Sequence, residues 1–121
     1  MSYQDIHASE IADFLTTEGL VVIDQRDEHT RSKGQLPGAQ PASEAVVGKL
    51  VMQRRKNPPV LVYCYHGNQS RELCSFLAQF GLSRVYNLEG GWQAWEGWQQ
   101  QAATPSNVAL SAFPSEKGLV G

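Results

Sequence analysis

Two short apolar runs set the frame for this chain. Leu20-Val21-Val22-Ile23 and Val60-Leu61-Val62-Tyr63 are continuous, dominated by branched aliphatic residues, and each gives way at once to polar or reactive side chains. Such runs, without polar alternation, suit strands covered on both faces. Residues at helical spacing surround them. Ile11, Phe14 and Leu15 stand at i, i+3, i+4 and predict a helix over about 7–17, ended by Gly19. Val47, Leu50 and Val51 repeat the pattern, with Ser43 as N-cap and a stop before Asn57-Pro58-Pro59. Leu73, Phe76, Leu77 and Phe80 predict a helix that begins near Ser70 and stops at Gly81. Arg84-Val85-Tyr86-Asn87-Leu88 reads as a further strand. Glu89-Gly90-Gly91 then turns the chain into a last helix bearing Trp92, Trp95 and Trp98, whose spacing suits packing. Gly34, Pro37 and Gly38 mark a turn-rich connection. Strands alternating with helices imply right-handed crossovers, and therefore an α/β fold with a central parallel sheet and helices on both faces.

A length of 121 residues fits one small domain. The expected domain covers 1–101, and 102–121 reads as a loosely ordered tail because it is polar and punctuated by Pro and Gly. A hydrophobic content of 41% excludes whole-chain disorder and collagen-like repeats. The net charge of −2 gives no sequence-wide reason to expect nucleic acid as a partner. No apolar run approaches the roughly 20 residues of a membrane-spanning helix. The first residues lack the basic region and apolar core of a secretory signal. No membrane is therefore expected, and the cytoplasm is the expected address, where thiols stay reduced. Two cysteines, Cys64 and Cys74, are too few for a disulfide framework or a four-cysteine metal site.

The question narrows to whether either thiol carries chemistry. In an open parallel sheet, ligands bind beyond the carboxyl ends of the strands. Cys64 is the first residue past such an end, and Asp24 and Arg26 lie at the carboxyl end of the other apolar run. The segment Tyr65-His66-Gly67-Asn68-Gln69-Ser70 returns the chain to a helix start, where several backbone N–H groups converge on an anion. A sulfur held there titrates low and becomes nucleophilic. Gly67 allows the tight bend, and Ser70 is expected to cap the helix. Arg71 is the candidate for binding an anionic substrate; a solvated helix-face arginine is the plainer alternative. His66 is read as a solvent-facing loop residue, and Cys74, beside the apolar stripe, as a packing residue. Lys49, Arg54, Arg55 and Lys56 form the basic concentration of the chain, read as a solvated face, with steering of an acidic ligand as the alternative. The mechanism needs a thiolate and N–H donors, and no metal or cofactor.

Three segments together resemble the rhodanese family of sulfurtransferases. Val22-Ile23-Asp24-Gln25-Arg26, followed by Gly34-Gln35-Leu36-Pro37-Gly38-Ala39, is similar to the family's amino-terminal motif. Cys64-Tyr65-His66-Gly67-Asn68-Gln69-Ser70 is similar to its active-site loop, and Leu88-Glu89-Gly90-Gly91-Trp92-Gln93-Ala94-Trp95 to its carboxyl-terminal motif. Thr30 and Arg31 stand where the family usually has a Glu–aromatic pair, and Gln35 where a histidine is common. The resemblance implies a single rhodanese-like domain with Cys64 as its catalytic residue, supported by Asp24 and Arg26. It also implies a two-step reaction. The Cys64 thiolate takes the outer sulfur of thiosulfate or a similar sulfane-sulfur donor and holds it as a persulfide. An acceptor such as cyanide, glutathione or a thioredoxin-like protein then removes that sulfur.

Two rivals remain at this level. One is a persulfide carrier or partner-docking module built on the same loop. The other is a cysteine phosphatase or arsenate reductase, which resembles Cys-x5-Arg with the arginine bidentate to the oxyanion. Here that position holds Ser70, and Arg71 arrives one residue later.

Overall fold

The two apolar runs lie side by side. In the structure, a computed structural model that describes residues 2–103, Val21–Asp24 (β2) pairs in parallel with Val60–Tyr63 (β4), Val21 opposite Val60 and Asp24 opposite Tyr63. Strand β4 pairs on its other side with Val85–Leu88 (β5), again in parallel. Two edge strands complete the sheet. Gln4–Ile6 (β1) joins β5, and the two-residue Gln40–Pro41 (β3) joins β2, giving the order β1-β5-β4-β2-β3. The most apolar strand is therefore central, where both of its edges are paired.

Alternation along each strand sorts the core into two layers. Val22, Leu61, Tyr63 and Leu88 face one side and pack with Ile6, Ile11, Leu36 and Trp95. Ile23, Val60, Val62 and Val85 face the other, with Leu50, Cys74, Leu77 and Leu82. The first layer is closed by a 3₁₀ turn at Ala8–Glu10, by α1 (Ile11–Phe14) and by α5 (Gly91–Ala103). The second is closed by α3 (Glu44–Met52) and α4 (Gln69–Gln79). Helices thus cover both faces, as the alternation of elements predicts. Ser43 caps α3 as expected, its hydroxyl accepting from the Val46 amide at 3.2 Å.

Several details differ from the sequence reading. The run at 20–23 is shifted by one residue: Leu20 precedes the strand, and Asp24 is its last member. The helix expected over 7–17 divides into the 3₁₀ turn and the short α1, then unwinds before Gly19. The turn-rich connection contains a one-turn helix, α2 (Glu28–Arg31), capped by the Asp27 carboxylate on the Thr30 amide at 2.7 Å. Trp98 is 37% exposed, whereas Trp95 enters the core. Helix α5 continues to Ala103, and the rest of the expected tail, 104–121, lies outside the described residues.

Candidate active site

Strand β4 delivers Cys64 to the carboxyl edge of the sheet, and the backbone then folds back on it. The Gly67 amide donates to Cys64 Sγ at 3.1 Å and the Ser70 amide at 3.4 Å. The Gln69 amide adds to the same field. The sulfur therefore sits in a cup of backbone donors over the first turn of α4, where the helix dipole also favours negative charge. Burial alone would raise the Cys64 thiol, but hydrogen bonding with the Ser70 side chain and bonds from the Ser70, Gly67 and Gln69 amides outweigh it and hold the group below its ordinary value. Cys74 has the opposite surroundings. It is fully buried on the sheet-facing side of α4, and burial, helped by the charges of Asp5 and Cys64, pushes its thiol up to about 12.

The loop's shape depends on two glycines that meet back to back. Gly67 has φ +90°, and a Cβ there would lie 2.8 Å from the Gly90 nitrogen. Gly91 has φ +66°, and a Cβ there would lie 2.5 Å from the carbonyl oxygens of Cys64 and Tyr65. The close approach is needed because the first amides of α5 donate to the loop: Trp92 to the Cys64 carbonyl at 2.8 Å and Gln93 to the Tyr65 carbonyl at 3.0 Å. A helix start has free N–H groups, and here they are satisfied by the loop's own carbonyls.

Asp24 and Arg26 buttress the site from the side. The guanidinium grips the carboxylate with two bonds, Nε to Oδ1 at 2.9 Å and an Nη to Oδ2 at 2.6 Å, and a further bond runs from that Nη to the Gly34 carbonyl at 2.6 Å. It also lies 4.4 Å from the centre of the Trp92 ring. Asp24 Oδ2 accepts from the Tyr63 hydroxyl at 2.7 Å, and that hydroxyl accepts from the Leu36 amide at 3.0 Å. One buried ion pair thus joins β2, β4, the glycine-rich connection and the start of α5.

The remaining loop residues are placed as follows. Tyr65 is exposed, stands edge-on to His66, and lines an open depression of about 610 Å³ with Gln25, Arg26, Asp27, Thr30 and Gln69. His66 is exposed, and its Nδ1 lies 2.9 Å from Gln93 Oε1. Asn68 occupies the cap position of α4 but makes no side-chain capping bond. The expectation that Ser70 caps this helix is wrong. Ser70 is already inside the first turn and buried; its hydroxyl accepts from the Cys64 thiol at 3.3 Å and donates to Asn87 Oδ1. Arg71 is exposed, and its Nε donates to the Gly67 carbonyl at 3.3 Å. The basic residues Arg54, Arg55 and Lys56 lie in a 3₁₀ turn that leads into the start of β4. Cys64 follows the end of that strand, so the two are separated by its length, roughly 13 Å at about 3.3 Å per residue. Steering of a ligand into the cup by those three groups has no geometric support.

The sequence reading gave Asn87 no role. It is a buried polar residue in β5, with Nδ2 donating to Asp5 Oδ1 at 3.0 Å and to the Gly67 carbonyl at 3.4 Å. Its one sequence signal was polarity in an otherwise apolar strand.

A family model described as Rhodanese-like domain matches residues 7–97. The chain is similar to the thiosulfate sulfurtransferase GlpE of Pseudoalteromonas translucida, with 31% identity over 96 residues, 79% of this chain and 91% of that protein. It is also similar to the thiosulfate sulfurtransferase GlpE of Pseudomonas fluorescens, with 37% identity over 86 residues, 71% of this chain and 79% of that protein. Among solved structures, a rhodanese-like domain from Anabaena shares the fold with a TM-score of 0.64 at 20% identity, covering 93% of this chain and 92% of that one. The motif order, the amide cup around Cys64 and these matches agree: the chain belongs to the family of rhodanese-like domains.

Proposed function

We propose that this protein is a thiosulfate sulfurtransferase working through a persulfide on Cys64. The observation that carries the reading is the set of backbone amides aimed at Cys64 Sγ from Gly67 and Ser70. The thiolate attacks the outer sulfur of thiosulfate; a new S–S bond forms, the old one breaks, and sulfite leaves with its electron pair. Negative charge now rests on the outer sulfur of the persulfide, within reach of the same donors. An acceptor nucleophile then attacks that sulfur and restores the Cys64 thiolate. Cyanide becomes thiocyanate, and a thiolate becomes a persulfide. Arg71, at the mouth of the loop, draws the dianion in. Tyr65, His66, Asn68 and Gln69 form the rim that donor and acceptor meet, and the Asp24–Arg26 pair holds the scaffold.

A reduced compartment suits this chemistry, so we place the protein in the cytoplasm with glutathione or a thioredoxin-like protein as acceptor. Among the described residues no helix is long and apolar enough to cross a membrane. The phosphatase reading is disfavoured by Ser70 at the position of the oxyanion-binding arginine and by the bond from Arg71 Nε to Gly67.

Intact mass after incubation with thiosulfate tests the proposal. A gain of one sulfur on Cys64, lost on adding cyanide or a thiol, is expected, and Cys64→Ser protein should fold but gain nothing. Full thiosulfate–cyanide turnover by folded Cys64→Ser protein overturns the assignment. Loading only in the presence of a cysteine desulfurase would make the protein a persulfide carrier instead.

A further inference from the structure

The Ser70 hydroxyl has one proton and two neighbours that want it. In the structure the hydroxyl donates to Asn87 Oδ1 and accepts from the Cys64 thiol at 3.3 Å. The orientation of Asn87 is fixed by chemistry, because its Nδ2 faces only acceptors: the Asp5 carboxylate at 3.0 Å and the Gly67 carbonyl at 3.4 Å. Its oxygen is therefore turned toward Ser70. This arrangement suits a neutral thiol. A thiolate or persulfide anion has no proton to give and needs a donor, so the Ser70 proton must swing from Asn87 to sulfur.

We propose that Asn87 is a positioning residue that competes with the Cys64 sulfur for the Ser70 hydroxyl proton, and so sets how readily the site holds an anionic sulfur. The proposal rests on Cys64 being the reacting sulfur. Asn87 reaches across from β5, and Asp5 on β1 holds it in place. Both residues are far from the loop in sequence and neither belongs to a segment that carries the reactive thiol. The other charged or titratable groups around the sulfur already have partners. Arg71 on α4 donates to Gly67, Cys74 on α4 lies 3.6 Å from the Tyr86 carbonyl, and His66 in the loop meets Gln93. The Asp24 side chain at the end of β2 and the Arg26 side chain just beyond it are paired with each other.

Two substitutions at Asn87 are expected to act in opposite directions. Asn87→Leu removes the rival acceptor, frees the Ser70 proton for sulfur and stabilises the thiolate. The Gly67 carbonyl keeps its bond from Arg71 in that variant. Asn87→Asp, made together with Asp5→Asn to avoid two facing carboxylates, gives Ser70 a stronger acceptor and stabilises the thiol. The readout is the pH midpoint of Cys64 alkylation by iodoacetamide, followed by peptide mass. It should fall by about one unit in Asn87→Leu and rise by about one unit in the paired variant, the scale of one hydrogen bond to a charged group. The Asn87→Leu shift should vanish in a Ser70→Ala background, and the rise in the paired variant should shrink there to the part due to the charge of the carboxylate alone.

Shifts of the same sign, no shift, or shifts of undiminished size with Ser70→Ala overturn the proposal. If one variant does not fold, the other decides through its Ser70→Ala comparison. Alkylation needs no sulfur transfer, so a failure of the transferase reading leaves this result standing, and the reverse also holds.

Discussion

The Trp92 amide donates to the carbonyl of Cys64 at 2.8 Å, so the start of α5 holds Cys64 from behind. That bond depends on Gly91, whose Cβ position is filled by the carbonyls of Cys64 and Tyr65 at 2.5 Å. Gly91→Ala is expected to combine a left-handed backbone penalty with a backbone clash and to destabilise the domain by about 2 kcal/mol or more. Gly19 also has positive φ, at +76°, but nothing lies within 4 Å of its Cβ position. Gly19→Ala should therefore show only the conformational part, about 1 kcal/mol. Urea unfolding of the two variants measures the difference. Equal losses would mean that the contact behind Cys64 carries no weight.

The site was legible in sequence wherever one local segment supplied the signal. Strands β2 and β4 showed as apolar runs because their faces are largely buried, and Cys64 could be placed by its position after one of them. The edge strands gave no such signal. Only Ile6 of β1 is buried, and both residues of β3 are exposed, so neither makes a hydrophobic pattern. Ser70 was misread because a serine at a helix start is an ordinary cap, whereas its partner here is Asn87 on another strand. The Asp5–Asn87 contact joins residues at opposite ends of the domain, and no local pattern encodes such a pairing. Arg26 was assigned a supporting role, but its stacking on Trp92 and its bond to Gly34 became visible only when the three motifs met in space.

That meeting point predicts a large cost for breaking the ion pair. The side chains of Arg26 and Asp24 are 4% and 0% exposed. Asp24→Asn leaves a guanidinium facing a neutral amide and weakens the acceptor of Tyr63. A loss of about 3 kcal/mol is expected, at the lower end for an uncompensated buried charge. Arg26→Lys should lose a similar amount, because an ammonium cannot grip both carboxylate oxygens, reach Gly34 and stack on Trp92 together. Denaturation midpoints near those of the parent would show that the pair adds little.

The two thiols should give stability opposite dependence on pH. The folded protein lowers Cys64, so the unfolded chain binds more protons between the folded value and the ordinary value of 9.0. Stability relative to Cys64→Ser should rise with pH across that window and level off above it. Cys74 is raised from 9.0 to about 12, so its contribution should fall as pH climbs between those values. Thermal unfolding of the parent, Cys64→Ser and Cys74→Ser across that range separates the two. A parent curve parallel to that of Cys64→Ser below pH 9.0 would contradict the lowered thiol.

Arg71 and the Arg54/Arg55 pair make different claims on the donor. Arg71 lies in the first turn of α4, next to the amides that surround the sulfur, and among the described residues it forms no ion pair. Arg54 and Arg55 lie before β4, at the end of the sheet remote from Cys64. Arg71→Ala should raise KM for thiosulfate by about twofold to fivefold, the scale of an exposed charge interaction, with kcat little changed. The effect should shrink as ionic strength rises, since exposed charges are screened within about 10 Å at 0.1 M salt. Arg54→Ala and Arg55→Ala should leave KM unchanged at every salt concentration. If the Arg54 or Arg55 variant matched the Arg71 variant, the anion would be guided by the charge of the whole molecule rather than by the mouth of the loop.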